Sequence, residues 1–228
     1  MVISRAFAAL VGLAFAGTVT AAQAATISTL ADQSGHISLW GERDTSTYGQ
    51  TFIAPSDNIL TSFTFFVNDL VDPSPVGFNA YVYAWDSSLN RATGPQLFKS
   101  ADMVTDPNAI GFEQIAVDVD SVTLTEGQSY VAFFSTIEVN NADPFVGHAL
   151  WASAPGDSYG DGAFVFQNTV NLPAQWVGQS WGVYEHVDSS FEMTFTTVIP
   201  IPAALPLFAT ALAGMGLIGW RRRRSVQD

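Results

Sequence analysis

The sequence predicts an all-β protein, an antiparallel two-sheet β-sandwich, between residues 25 and 198. Three observations point there. Short segments alternate apolar and polar residues with a period of two, the spacing that puts strand side chains on one face. Clusters of Gly, Pro, Asn and Asp punctuate these segments. No stretch of the middle region carries a convincing 3.6-residue period. About eight to ten strands are expected, as in sandwiches of this size.

The elements can be justified in order. Phe63, Phe65 and Val67 share one strand face, and Ser62 and Thr64 fall on the other. Asn79-Ala80-Tyr81-Val82-Tyr83-Ala84-Trp85 is an aromatic-rich strand in which Tyr81, Tyr83 and Trp85 share a face. That face is read as packed interior, with a ligand platform as the alternative. Glu113, Ile115, Val117 and Val119 alternate with Gln114, Ala116 and Asp118. The run from Tyr130 to Phe134 is apolar on both faces, which places it centrally in a sheet. Phe191, Met193 and Phe195 alternate with Glu192, Thr194 and Thr196. Turns are expected at Asp72-Pro73-Ser74-Pro75, Asp106-Pro107-Asn108, Glu126-Gly127 and Pro155-Gly156-Asp157.

Charge narrows the function. The chain has 228 residues and a net charge of −13, but the bases are displaced to the ends. Arg5 is near the start, and Arg221, Arg222, Arg223 and Arg224 close the chain, which leaves Arg43, Arg91 and Lys99 in the middle. Those three stand against 20 acidic residues, a net −17 for this region. Nucleic-acid binding requires Lys and Arg to displace phosphate counterions, so it is excluded. The absence of cysteine removes disulfides, Cys-based zinc sites and thiol catalysis.

The N-terminus carries Arg5, a 14-residue apolar run from Ala6 to Val19, and Ala22-Gln23-Ala24. A charged segment, an apolar segment and an A-x-A site in that order form a secretory signal, residues 1–24, cleaved after Ala24. The run is too short for a comfortable bilayer span, which needs ~20 residues.

Residues 199–228 form a second unit. Ile199-Pro200-Ile201-Pro202-Ala203 leads into 18 uncharged residues, Ala203–Trp220, followed by the four arginines. At ~1.5 Å per residue a helix over 203–220 covers about 27 Å, enough for a thin hydrocarbon core. The arginines hold its end on the cytoplasmic side. A Pro-rich signature, one transmembrane helix and a terminal arginine cluster together resemble the PEP-CTERM class of sorting signals. The variant reading Val-Pro-Leu-Pro-Ala is the form most similar. The resemblance implies recognition by an exosortase, a transpeptidase-like membrane protease. It also implies cleavage near the signature and delivery to the cell surface or an exopolysaccharide matrix. No Glu separates the prolines, and Ser225–Asp228 extends beyond the arginines.

Gln50-Thr51-Phe52, Leu60-Thr61-Ser62-Phe63, Gly111-Phe112-Glu113 and the run from Val122 to Tyr130 resemble jelly-roll domains related to galactose-binding-like and carbohydrate-binding modules. That similarity implies a jelly-roll-like fold. Exposed tryptophan stacks on sugar rings in such modules, and Trp40, Trp85, Trp151, Trp176 and Trp181 all lie in the middle region. Filling a core is the other use of large aromatics.

Catalytic signals are weak. His36, His148 and His186 lack metal-ligand spacing, and no G-x-S-x-G is present. Asp157 and Asp161 in a glycine-rich loop are weak candidates for Ca²⁺, against a plain turn in which Asp caps its own backbone. Asp118 and Asp120 on one strand face are a second such pair, against a solvated edge. No cofactor and no enzyme activity are expected. The function read from the sequence is a non-enzymatic exported surface or matrix protein, with the exosortase-like protease, the membrane and a polysaccharide as partners. A carbohydrate-binding module is the alternative, and an extracellular glycan hydrolase, which needs two carboxylates facing a cleft, comes third. The exported chain should begin at Ala25, because Ala22 and Ala24 suit the small-residue pockets of signal peptidase. N-terminal sequencing that returned Met1 would refute this.

Overall fold

Strands with one apolar face must stack two sheets to bury those faces. The computed structural model describes residues 24–41, 45–69, 74–139, 147–167 and 173–197, and they form such a pair of sheets. The signal up to Gln23, the Ile199–Ala203 motif, the helix expected at 203–220 and Arg221–Arg224 lie outside the described residues. Among the described residues no helix is long and apolar enough to cross a membrane.

The strands run in chain order as β1 (Ala25–Ser28), β2 (His36–Trp40), β3 (Thr47–Ile53), β4 (Ile59–Asn68), β5 (Gly77–Asp86), β6 (Arg91–Lys99) and β7 (Met103–Val104). Then come β8 (Glu113–Thr123), β9 (Ser129–Ser135), β10 (Ala149–Pro155), β11 (Phe164–Gln167), β12 (Gly182–Tyr184), β13 (Val187–Ser189) and β14 (Phe191–Thr196). A short helix α1 (Pro173–Gly178) precedes β12. The first sheet has the order β1-β14-β4-β10-β13, with β2 on β10 and β8 on β4. The second has the order β12-β11-β3-β9-β5-β6, with β7 on β5. All their ladders are antiparallel.

The all-β sandwich is as expected, but it has fourteen described strands instead of eight to ten. β7 has two residues and β12 and β13 have three each, too few to display alternation. The helix α1 was not expected either, since six residues make under two turns and carry no readable period.

Registers define two poles. Ile59 lies opposite both Thr123 and Thr196, and Ala25 lies opposite Phe195, so these strand ends share one pole. The other ends of β4 and β8 meet where Val67 faces Glu113, and Asn68 faces Leu150. In the second sheet Gln167, Thr47, Ser135 and Asn79 lie in successive register at that far pole.

The interior between the sheets is largely aromatic. Phe134 on β9 is its hub, with ring centroids 4.7 Å from Phe78, 5.1 Å from Phe65 and 5.6 Å from Trp151. Trp40 and Phe63 close the shell at 6.0 Å each. These offset and edge-on geometries suit ring quadrupoles, and each ring removes a large apolar area from water.

Phe133, the preceding residue, points to the opposite face, as strand alternation requires. There it stacks on Tyr81 at 5.1 Å and meets Trp176 and Trp181 edge-on at 4.9 and 5.1 Å. The indole N–H of Trp181 donates to the Trp176 carbonyl at 3.0 Å, which fixes the two tryptophans relative to each other. The face carrying Tyr81, Tyr83 and Trp85 is therefore packed, as read from the sequence. It packs on the outside of the second sheet, however, in a separate cluster.

Gly49 lies directly opposite Phe133. A Cβ there would sit 2.4 Å from the Ala132 carbonyl oxygen and 2.5 Å from Phe133 Cβ. Gly49→Ala should therefore lower stability by about 1–3 kcal/mol through overpacking, although Ala loses less backbone entropy than Gly on folding. Denaturant unfolding of the excised domain checks the sign.

Candidate functional site

Strand termini release backbone groups that need partners, and polar side chains concentrate where strands end. At the far pole they form three groups. Thr47 and Ser135 share a hydroxyl–hydroxyl hydrogen bond of 2.8 Å. Next in register, the Asn79 amide donates to Asp102 at 2.9 Å.

The second group surrounds the Tyr81 hydroxyl, which donates to the Glu138 carboxylate. Lys99 reaches the same oxygen at 2.7 Å, the one salt bridge among the described residues. Burial raises the Tyr81 pKa, and the hydrogen bond to Glu138 raises it further. Burial alone would raise Glu138, but hydrogen bonds from Lys99 and Tyr81 outweigh it and hold the carboxyl low. The neutral phenol is the form that donates the hydrogen bond to Glu138.

The third group joins β4, β7 and β8. Thr105 accepts the Val76 N–H at 2.9 Å and donates to the buried Asp69. Glu113 accepts the Asp106 N–H at 2.9 Å, and its pKa is raised by burial and by Asp69 and Asp106 nearby.

The candidates read from the sequence fall elsewhere. Asp157 and Asp161 are exposed in the turn after β10. The carboxylate that ties this turn is Asp188 of β13, which is 1% exposed and accepts the Tyr159 N–H at 2.8 Å. Asp188 also accepts the Gln50 amide at 2.7 Å, and the Gln50 oxygen accepts the Ser189 N–H at 2.9 Å. Gln50 belongs to one sheet and β13 to the other, so this chain of bonds crosses the sandwich. Nothing in the sequence marks Asp188, since its importance comes from burial.

Asp118 accepts the Asp120 N–H at 3.0 Å. That bond supports a bulge where Asp120 and Ser121 take positive φ values of 51° and 70°. His36 and His186 are exposed and His148 is half-buried. Among the described residues no group of three or more His, Cys, Asp or Glu side chains is placed to hold a metal ion. Trp40, Trp85, Trp151, Trp176 and Trp181 are all buried, so sugar stacking on an exposed tryptophan has no candidate among them. Tyr184, 48% exposed, is the large aromatic left at the surface of the described residues.

No protein-family model matches this chain, and no curated protein matches it. The geometry is that of polar groups serving the fold. The buried Asp188 receives backbone and side-chain N–H groups and the buried Asp69 the Thr105 hydroxyl, which offsets the cost of removing them from water.

Asp188 also makes stability depend on pH. Burial raises its pKa above the ordinary 3.8, more than the bonds from Tyr159 and Gln50 lower it. Its contribution is therefore complete below the unfolded-state pKa and is lost as pH rises through the folded-state value. Melting temperature should fall as pH is raised from about pH 4 at constant ionic strength. Asp188→Asn should make the fall shallower without abolishing it, because Glu113 shifts in the same direction. An unchanged slope in the variant would refute this role.

Proposed function

We propose that this protein is an exported, non-enzymatic surface or matrix protein, processed at its C-terminus by an exosortase-like membrane protease. The observation that carries the reading is the order of Pro-rich motif, uncharged 18-residue stretch and Arg221–Arg224 directly after the sandwich. β14 ends at Thr196, three residues before Ile199. The motif therefore follows a folded strand at short range, where a membrane protease can reach it without opening the core. The Ala22-Gln23-Ala24 signal precedes β1 in the same way.

A structural role in an extracellular matrix is supported by where the polar groups are used. Asp188, Gln50, Asp118 and Thr105 secure loops and bulges. The acids of the domain, 20 against three bases, favour solubility and repulsion between copies. The C-terminal segment has a transient membrane role on this reading: it holds the chain until the protease cuts, with the arginines retaining the helix.

Intact mass spectrometry of the protein from its native host tests the proposal. The surface form should begin at Ala25 and lack Arg221 to Arg224. Chain ending at Asp228 and stable in the membrane would establish a plain tail anchor instead. Glycan titration that quenched the tryptophan emission would favour the carbohydrate-binding alternative.

A further inference from the structure

We infer that α1 and the turn after it, residues 175–181, form a strap that lifts from the outer face of the second sheet while the two sheets stay together, uncovering a row of aromatic rings. The strap is seated by its own rings. Trp176 lies 4.7 Å from Tyr81 and 4.9 Å from Phe133, and Trp181 lies 5.1 Å from Phe133 and 5.6 Å from Trp85. Two of its hydrogen bonds are internal: the Gln179 N–H donates to the Gln175 carbonyl at 2.9 Å, and the Trp181 indole to the Trp176 carbonyl at 3.0 Å. The Trp181 N–H donates to the Asn90 carbonyl at 2.6 Å, which ties the end of the strap to the turn between β5 and β6. With six residues, α1 is too short to persist without the rings beneath it. The strand it covers needs no such support. Ser129–Ser135 of β9 pairs with β3 along its whole length, and residues 130–135 pair with β5 on the other side.

Closure of the strap is also opposed. Trp176 is fully buried and its indole N–H has no hydrogen-bond partner, and the neighbouring Gln175 side-chain oxygen is buried without one too. A buried polar group left unpaired costs free energy that water would restore. Lifting the strap returns both atoms to solvent and gives up only ring contacts and the bond to Asn90. Elements held by so few bonds open locally, ahead of the whole fold. The face beneath keeps its shape when they do. The Tyr81 hydroxyl is held by Glu138 and the Tyr83 hydroxyl donates to Gln96 at 3.4 Å, and neither partner belongs to the strap. Tyr81, Tyr83, Trp85 and Phe133 then stand together as one apolar surface, the kind of patch that folded proteins otherwise keep covered.

The chain contains no cysteine, so a single introduced thiol reports on one place. Val131 and Ala132 are neighbours on β9 and both fully buried, but Val131 belongs to the outer cluster with Trp176 and Trp181, and Ala132 to the interior between the sheets. Val131→Cys and Ala132→Cys are made in the full chain, and each reacts with the uncharged thiol reagent dithiodipyridine. Val131→Cys should react about tenfold faster or more, at a rate that low urea barely changes, because local opening exposes little surface. Equal rates, each referred to the variant's own unfolding midpoint, would mean that the outer face opens only with the whole sandwich and would overturn the inference. Adding Trp176→Ala should speed Val131→Cys and leave the Ala132→Cys rate, so referred, unchanged. Equal acceleration of both, or none at Val131→Cys, overturns the strap as a separate element. In the chain without substitutions, the hydrogen-bonded amides of Gln179 and Trp181 should exchange with deuterium ahead of those of β9, and exchange at the β9 rate would likewise overturn it.

Discussion

Burial of β9 on both faces is the constraint on which the rest of the structure depends. Phe134 turns into the sandwich, where five aromatic rings surround it, and Phe133 turns outward into a second cluster. A strand apolar on both sides cannot lie at a solvated face. The second sheet must therefore be covered twice, once by the first sheet and once by the segment that brings Trp176 and Trp181 across it. That second layer explains α1, a helix too short to be stable by itself. It exists because Trp176 is seated on Tyr81 and Phe133.

Electrostatics act in the opposite direction, since a domain with 20 acids and three bases repels itself. Most carboxylates stay at the surface, where water and salt screen them. Of the two buried carboxylates among the described residues, Asp69 receives the Thr105 hydroxyl and Asp188 receives N–H donors. Asp188, on the first sheet, is the clearer instance, because its donors come from Gln50 of the second sheet and from Tyr159 in the turn beyond β10. A buried ion pair would have had to recover the desolvation of two charges. One carboxylate with amide donors, kept closer to neutrality by its raised pKa, avoids most of that cost.

Exposed strand edges invite pairing with other chains, and this protein limits them at β8, β6, β1 and β12. The edge strand β8 is interrupted by its bulge at Asp120 and Ser121 and carries Asp118 on its exposed face. The edge strand β6 contains Gly94-Pro95, with Gly94 at a φ of 70°. β1 and β12 have only four and three residues. Such borders limit the formation of sheets between copies.

The sequence by itself determined the class of fold, the position of the main strands and the direction of most side chains. These follow from local alternation: Phe63, Phe65 and Val67 are buried as their spacing requires, and the two-sided run from Tyr130 to Phe134 lies within a sheet. It also carried the whole case for export, which depends on the order of residues at the two ends. Tertiary structure alone decided which face Tyr81, Tyr83 and Trp85 would bury, because alternation tells that they share a side but not which layer covers it. It decided that Asp188, and not Asp157 or Asp161, secures the turn after β10, because a carboxylate's role depends on burial and on donors from strands more than a hundred residues away, as with Gln50. It also decided that the two ends of the domain leave from one pole. Pairing of Ala25 with Phe195 is a long-range register that no local pattern encodes.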